Sequence, residues 1–80
     1  MNGCYDGWNI VEVEKMLNEQ CPMIKTECFF GGKGELVTTM ETGNIWNVTY
    51  TPLENLIGMS SKSVVNYLIK KFKKQKGWLL

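Results

Sequence analysis

The cluster Gly31-Gly32-Lys33-Gly34 constrains this 80-residue chain more than any other stretch. It separates Met23–Phe30 from Glu35–Thr42, two runs rich in β-branched and aromatic side chains, and glycines in that setting turn a chain back on itself. Gly43-Asn44 supplies a second turn, after which Ile45, Asn47 and Thr49 alternate with Trp46, Val48 and Tyr50. Residues 23–50 are therefore predicted to form an antiparallel β-meander of three strands, or at least two of them.

On either side of the meander the apolar period is helical. Asn9, with Glu12 three residues on, is predicted to cap a helix over 9–20. Ile10, Val13, Met16 and Leu17 would give it an apolar stripe, and Pro22 would stop it. The alternation Val11-Glu12-Val13-Glu14 also suits a strand. Downstream, Thr51-Pro52-Leu53-Glu54 has the form of a capping box with proline at the first helical position. It predicts a short helix lined by Leu53, Leu56 and Ile57 and ended by Gly58. Ser60 is predicted to cap a longer helix from about Ser61 to Lys76, closed by Gly77. The chain thus reads as one α+β domain over residues 1–80, with a helix, a β-meander and a helical pair over 51–76.

What is missing narrows the chemistry. There is no histidine, so the commonest general base and the commonest zinc ligand are both absent. Cys4, Cys21 and Cys28 are odd in number and lack Cys-x-x-Cys spacing, so reduced thiols partly in the core are expected. No two acids stand out as a pair. The glycine cluster lacks both the earlier glycine of a P-loop and the Ser or Thr that follows its lysine. No catalytic residue, metal or cofactor is expected, and the chain reads as a non-enzyme. No apolar run approaches the ~20 residues of a membrane span. Polar residues break up any apolar signal region near the N-terminus, so the expected location is the cytoplasm, with no membrane partner. Without such a signal, the sequon Asn47-Val48-Thr49 is expected to be a chance match.

The net charge of +1 hides a split. Residues 1–54 carry three lysines against eight acids, whereas residues 55–80 carry six lysines and no acid. One strongly basic end on a nearly neutral protein points to a polyanion. Arginine is absent throughout, so lysine point charges, not guanidinium forks, must meet any phosphate. In the last helix Val64, Val65, Leu68, Ile69 and Phe72 share an arc of about 140°. Lys62, Ser63, Asn66, Tyr67, Lys70, Lys73 and Lys74 occupy the other side.

The stretch from Thr51 to Leu68 resembles a helix-turn-helix, closest to the winged kind found in small transcriptional regulators and in replication or partition proteins. Gly58, Met59 and Ser60 stand at the turn glycine, the apolar residue and the serine cap, and Val64 and Leu68 at the core plugs of the recognition helix. The lysines, Gly77 and Trp78-Leu79-Leu80 resemble the end of that helix and a following apolar strand. The resemblance implies duplex DNA as the partner, with the helix 61–76 entering the major groove. Ser60, Ser61, Lys62, Ser63, Asn66 and Tyr67 would then lie near bases or phosphates, with Asn66 suited to adenine. Lys70, Lys73 and Lys74 would lie on phosphates, and Lys33 on the glycine hairpin would take the place of a wing. Four to six neutralised phosphates would give a log–log salt slope of roughly −4 to −5. A homodimer reading paired half-sites is expected, its interface drawn from leftover Met and Leu side chains of the first helix or from Trp78–Leu80.

Three other readings compete. One helix, three strands and a basic helix is also the order of double-stranded RNA-binding domains, though only Lys62 is basic at the start of the last helix. A small phage- or mobile-element-type inhibitor or adaptor, acting through a protein partner, would use the acidic residues of 1–54. A basic amphipathic helix ending in Trp-Leu-Leu can also lie on an anionic membrane, a reading the capped segment before it disfavours.

Overall fold

The computed structural model describes residues 4–5, 7–43 and 45–74. The element order is β1 (Cys4–Tyr5), β2 (Trp8–Asn9), α1 (Ile10–Gln20), β3 (Lys25–Gly31), β4 (Glu35–Thr42), β5 (Ile45–Pro52), a 3-10 turn (Leu53–Leu56) and α2 (Ser61–Lys73). Strands β3, β4 and β5 form the expected antiparallel meander with β4 in the middle, and β1 and β2 make a separate two-stranded ribbon. The ribbon has no counterpart in the sequence reading. It delivers Trp8 to the core, where the ring is buried and lies 5.9 Å from that of Phe30.

Helix α1 begins where expected. The Asn9 side-chain oxygen accepts from the amides of Val11 and Glu12, which satisfies two of the donors that a helix start leaves open. Val13 and Leu17 are buried, while Ile10 and Met16 pack against the core. In α2, Ser60 caps by accepting from the Ser63 amide, and Val64, Val65, Leu68 and Phe72 are buried with Ile69 packed beside them. These stripes, Trp8, and Leu36 and Met40 from β4 belong to one core cluster, so both helices cover the same face of the sheet. Helix α2 ends at Lys73 with Lys74 as its C-cap, short of the expected Lys76, because the Lys74 N–H turns back to the Lys71 and Phe72 carbonyls. Gly77 and the strand expected at 78–80 lie outside the described residues.

The segment before α2 departs from expectation. The short helix predicted from Thr51 is a single 3-10 turn with no side-chain cap, and Thr51 and Pro52 belong to β5. Two contacts explain the change. Thr51 is fully buried and its hydroxyl accepts from the Lys71 ammonium at 3.1 Å, so it is not free to cap. The Leu53 amide donates to the Gly34 carbonyl, which holds the turn against the β3–β4 loop. Gly58 then reverses the chain at φ +80°, a backbone conformation suited to glycine.

Side chains occupy part of each sheet edge. Along β3, the Asn18 amide accepts from the Thr26 N–H and donates to the Thr26 carbonyl, both at 2.9 Å. Glu14 accepts from the Cys28 N–H at 2.8 Å. One turn of α1 thereby imitates a neighbouring strand, and an edge so occupied is closed to strand addition. On β5, Lys71 donates to the Tyr50 carbonyl at 2.7 Å, and Pro52 brings no N–H to that edge.

Cys21 is buried and Cys28 half-buried, both as free thiols. Burial pushes the Cys28 thiol from its ordinary 9.0 up to about 12, with the Thr38 hydroxyl pulling the other way and Glu14 adding to the rise. The folded chain therefore keeps a proton that the unfolded chain releases above pH 9. That contribution is whole below pH 9 and is lost as pH climbs towards 12. Urea melts at pH 8 and pH 10 should show the wild type losing about 1 kcal/mol more than Cys28→Ala over that interval. Asn18→Ala, which strips two backbone groups of their partner, should lower stability by about 1–3 kcal/mol in the same melts at pH 7 without changing the m-value.

Candidate nucleic-acid interface

Because α2 buries one stripe, its other side is set by the sequence alone. Lys62, Ser63, Asn66, Lys70, Lys73 and Lys74 are all exposed, and no carboxylate occurs on the helix. Lys62 and Lys74 lie twelve residues apart, or about 18 Å along the axis. The row of ammonium groups thus runs the length of the helix, with Asn66 near its middle. Lys70, Lys71 and Lys73 also stand at the negative end of the helix dipole. Tyr67 is half-buried and packs against the core, and with Lys70, Lys71 and Lys74 it lines a hollow of about 300 Å³.

Several expected contact residues are placed elsewhere. Ser61 is buried, and its hydroxyl accepts from the Asn9 N–H at 3.1 Å, so it ties the start of α2 to the start of α1 and does not face solvent. Ser60 and Ser63 are exposed but bonded to each other, hydroxyl to hydroxyl at 3.1 Å, as well as through the cap. Lys33 sits on the β3–β4 turn and lines the uncovered face of the sheet, so it does not extend the α2 row as a wing would. The structure therefore brings together Lys62, Asn66, Lys70, Lys73 and Lys74 and separates Ser61 and Lys33 from them. Met16 packs against the core and Leu17 is buried, so the first helix does not offer the expected Met–Leu interface, and Val11 is its large exposed apolar residue. Trp78–Leu80 lie outside the described residues.

Lys71 was not singled out by its spacing, yet it is the α2 lysine with a fixed structural task, holding Tyr50 and Thr51 of β5. Its position beside the apolar arc, and not opposite it, was the available signal. The uncovered face of the sheet was missed as well. It carries Phe29, Val37, Trp46, Val48 and Tyr50, whose alternation was plain but whose buried side was not.

Comparison with family models, curated proteins and solved structures finds no match to this chain. Among the described residues, no helix is long and apolar enough to cross a membrane. The division of labour along α2 can be tested directly. Ser61→Ala should cost about 1 kcal/mol of stability through its lost bond to Asn9 and leave the affinity of α2 for a polyanion such as heparin unchanged. Thermal melts and heparin-column elution check both halves.

Proposed function

We propose that this chain binds duplex DNA, with α2 acting as the helix that a winged helix-turn-helix domain sets into the major groove. The observation that carries the reading is the exposed row Lys62, Lys70, Lys73 and Lys74 around Asn66 on a helix without acids. A turn glycine, an apolar residue packed on the core and a serine cap precede it, at Gly58, Met59 and Ser60. The row supplies affinity through phosphates, and Asn66, whose amide matches the N6 and N7 edge of adenine, supplies what discrimination there is. The role is that of a small regulator or replication or partition factor, without catalysis.

A second reading takes double-stranded RNA as the ligand. The observation favouring it is the element order α1, β3, β4, β5, α2, the order of double-stranded RNA-binding domains. Lys62 alone at the start of α2 and the acids Glu12, Glu14 and Glu19 on α1 weigh against it.

Fluorescence anisotropy with random DNA and RNA duplexes between ~50 and ~200 mM salt separates the two. Four lysines on phosphates give a slope near −3.5 in log affinity against log salt, and Lys70→Ala should flatten it by about one unit on every sequence. Asn66→Ala should leave the slope intact and reduce discrimination among selected duplexes. Tighter RNA than DNA binding would favour the second reading. Absence of binding to either at ~50 mM salt would remove both.

A further inference from the structure

The sheet carries large apolar side chains on both faces. On the face beneath the helices, Leu36 and Met40 are buried together with Thr26, Thr38, Thr49 and Thr51. The opposite face presents Phe29, Trp46 and Tyr50 at 50%, 66% and 57% exposure, with Val37 and Val48 between them. A slip of one residue along β5 would exchange these faces, burying Trp46 and Tyr50 in place of Thr49 and Thr51. The observed register is fixed over eight paired residues, from Glu35 opposite Pro52 to Thr42 opposite Ile45. Aromatic rings are thus held outward by a strand that could have buried them.

We infer that this face packs against the same face of a second copy of the chain. The aromatic rows of the grid match their own copies, and the like-charged Glu35 and Glu41 pairs oppose the pairing only at its ends. Phe29 and Tyr50 flank Val37 in one cross-strand row, and Lys25 and Trp46 flank Glu41 in another. A two-fold axis along β4 lays β3 of one copy over β5 of the other, in the aligned manner of stacked sheets. Phe29 then meets the partner's Tyr50 twice over, and the Lys25 ammonium stands against the partner's Trp46, an arrangement attractive for cation and ring alike. Glu35 and Glu41 meet their own counterparts at the two ends of the axis, where water reaches them.

The area suffices for a dimer of moderate strength. At about 200 Å² for each aromatic side chain, the three exposures leave roughly 350 Å² of ring surface uncovered on each copy. With Val48, Thr39 and the stems of Glu27 and Lys33, each copy contributes roughly 600 Å², or about 1,200 Å² in all, the lower end of stable interfaces. Area alone does not set the affinity, so the concentration range of association is read by experiment.

Such a dimer is back to back. Layers about 10 Å apart set the two α2 helices on opposite outer surfaces, their lysines pointing away from each other. Paired half-sites about 34–36 Å apart on one duplex require both helices on one side, so this assembly joins two duplex segments instead. The dimer rests on the sheet face alone, and only the bridging rests on the proposed role of α2.

Sedimentation equilibrium of the full chain from about 1 to 100 µM should show the mass rising from 9.2 kDa to twice that value. The dimer should persist at about 500 mM salt, where duplex binding fails. Phe29→Glu with Tyr50→Glu should remain monomeric with an unchanged circular dichroism spectrum, and Trp46→Glu alone should weaken the dimer at least tenfold. Val11→Glu, at the exposed apolar residue of α1, should dimerise as the wild type does. A wild type monomeric at 100 µM, or a dimer indifferent to all three face substitutions, would overturn the inference. Energy transfer between two differently labelled duplexes, present with wild type and absent with the double variant, reads the bridging separately. Dimerisation without duplex binding would keep the interface and discard the nucleic-acid reading, and duplex binding by a monomer would do the opposite.

Discussion

Two helices of eleven and thirteen residues cover one face of a three-stranded sheet and no more. The rest of the molecule follows from that limit. The apolar stripes of α1 and α2 meet Leu36, Met40 and Trp8 on the covered face and produce a single small core. What remains on α2 is a lysine face directed to solvent. What remains on the sheet is an aromatic face that no other element among the described residues covers. Those two surfaces lie on opposite sides of the molecule.

Polar groups close the core that the short elements cannot. Lys71 takes up the Tyr50 carbonyl and the buried Thr51 hydroxyl, and the Cys28 thiol lies 4.0 Å from the Thr38 hydroxyl. A buried hydroxyl is tolerated only when it finds a partner, and β-branched threonine otherwise suits a strand. Asn18 and Glu14 do the corresponding work on the other edge. A chain of this size has few large apolar residues to spend on two sheet faces, and threonines bonded in this way let it reserve several aromatics for the outside.

Much of this was legible in the residues. The Asn9 cap, the glycine turn at 31–34, the meander, the Ser60 cap and the buried arc of α2 all follow from local pattern, because each is decided by neighbours in sequence. The failures share a cause. Thr51 and Pro52 carry the signature of a helix start, but a lysine twenty residues away and the Gly34 carbonyl decide their conformation. Ser61 looks like a surface residue on a helix wheel, and Asn9, 52 residues distant, draws it inward. The alternation in β5 reveals two faces without saying which the helices will choose, and intuition about aromatics favours the wrong one. The lysine row was visible because solvent exposure on α2 is the complement of a stripe that the sequence marks clearly.

The bond between Asn9 and Ser61 joins the first turns of both helices through one hydroxyl. Asn9 caps α1 with its side chain while its amide is held by α2, so neither helix start can open without releasing the other. Their amide protons should therefore exchange with solvent as one cooperative unit, with a common opening free energy. The lysine-bearing helix is consequently tied down twice, at its start by the Ser61 hydroxyl and within one turn of its end by Lys71 and the buried Phe72.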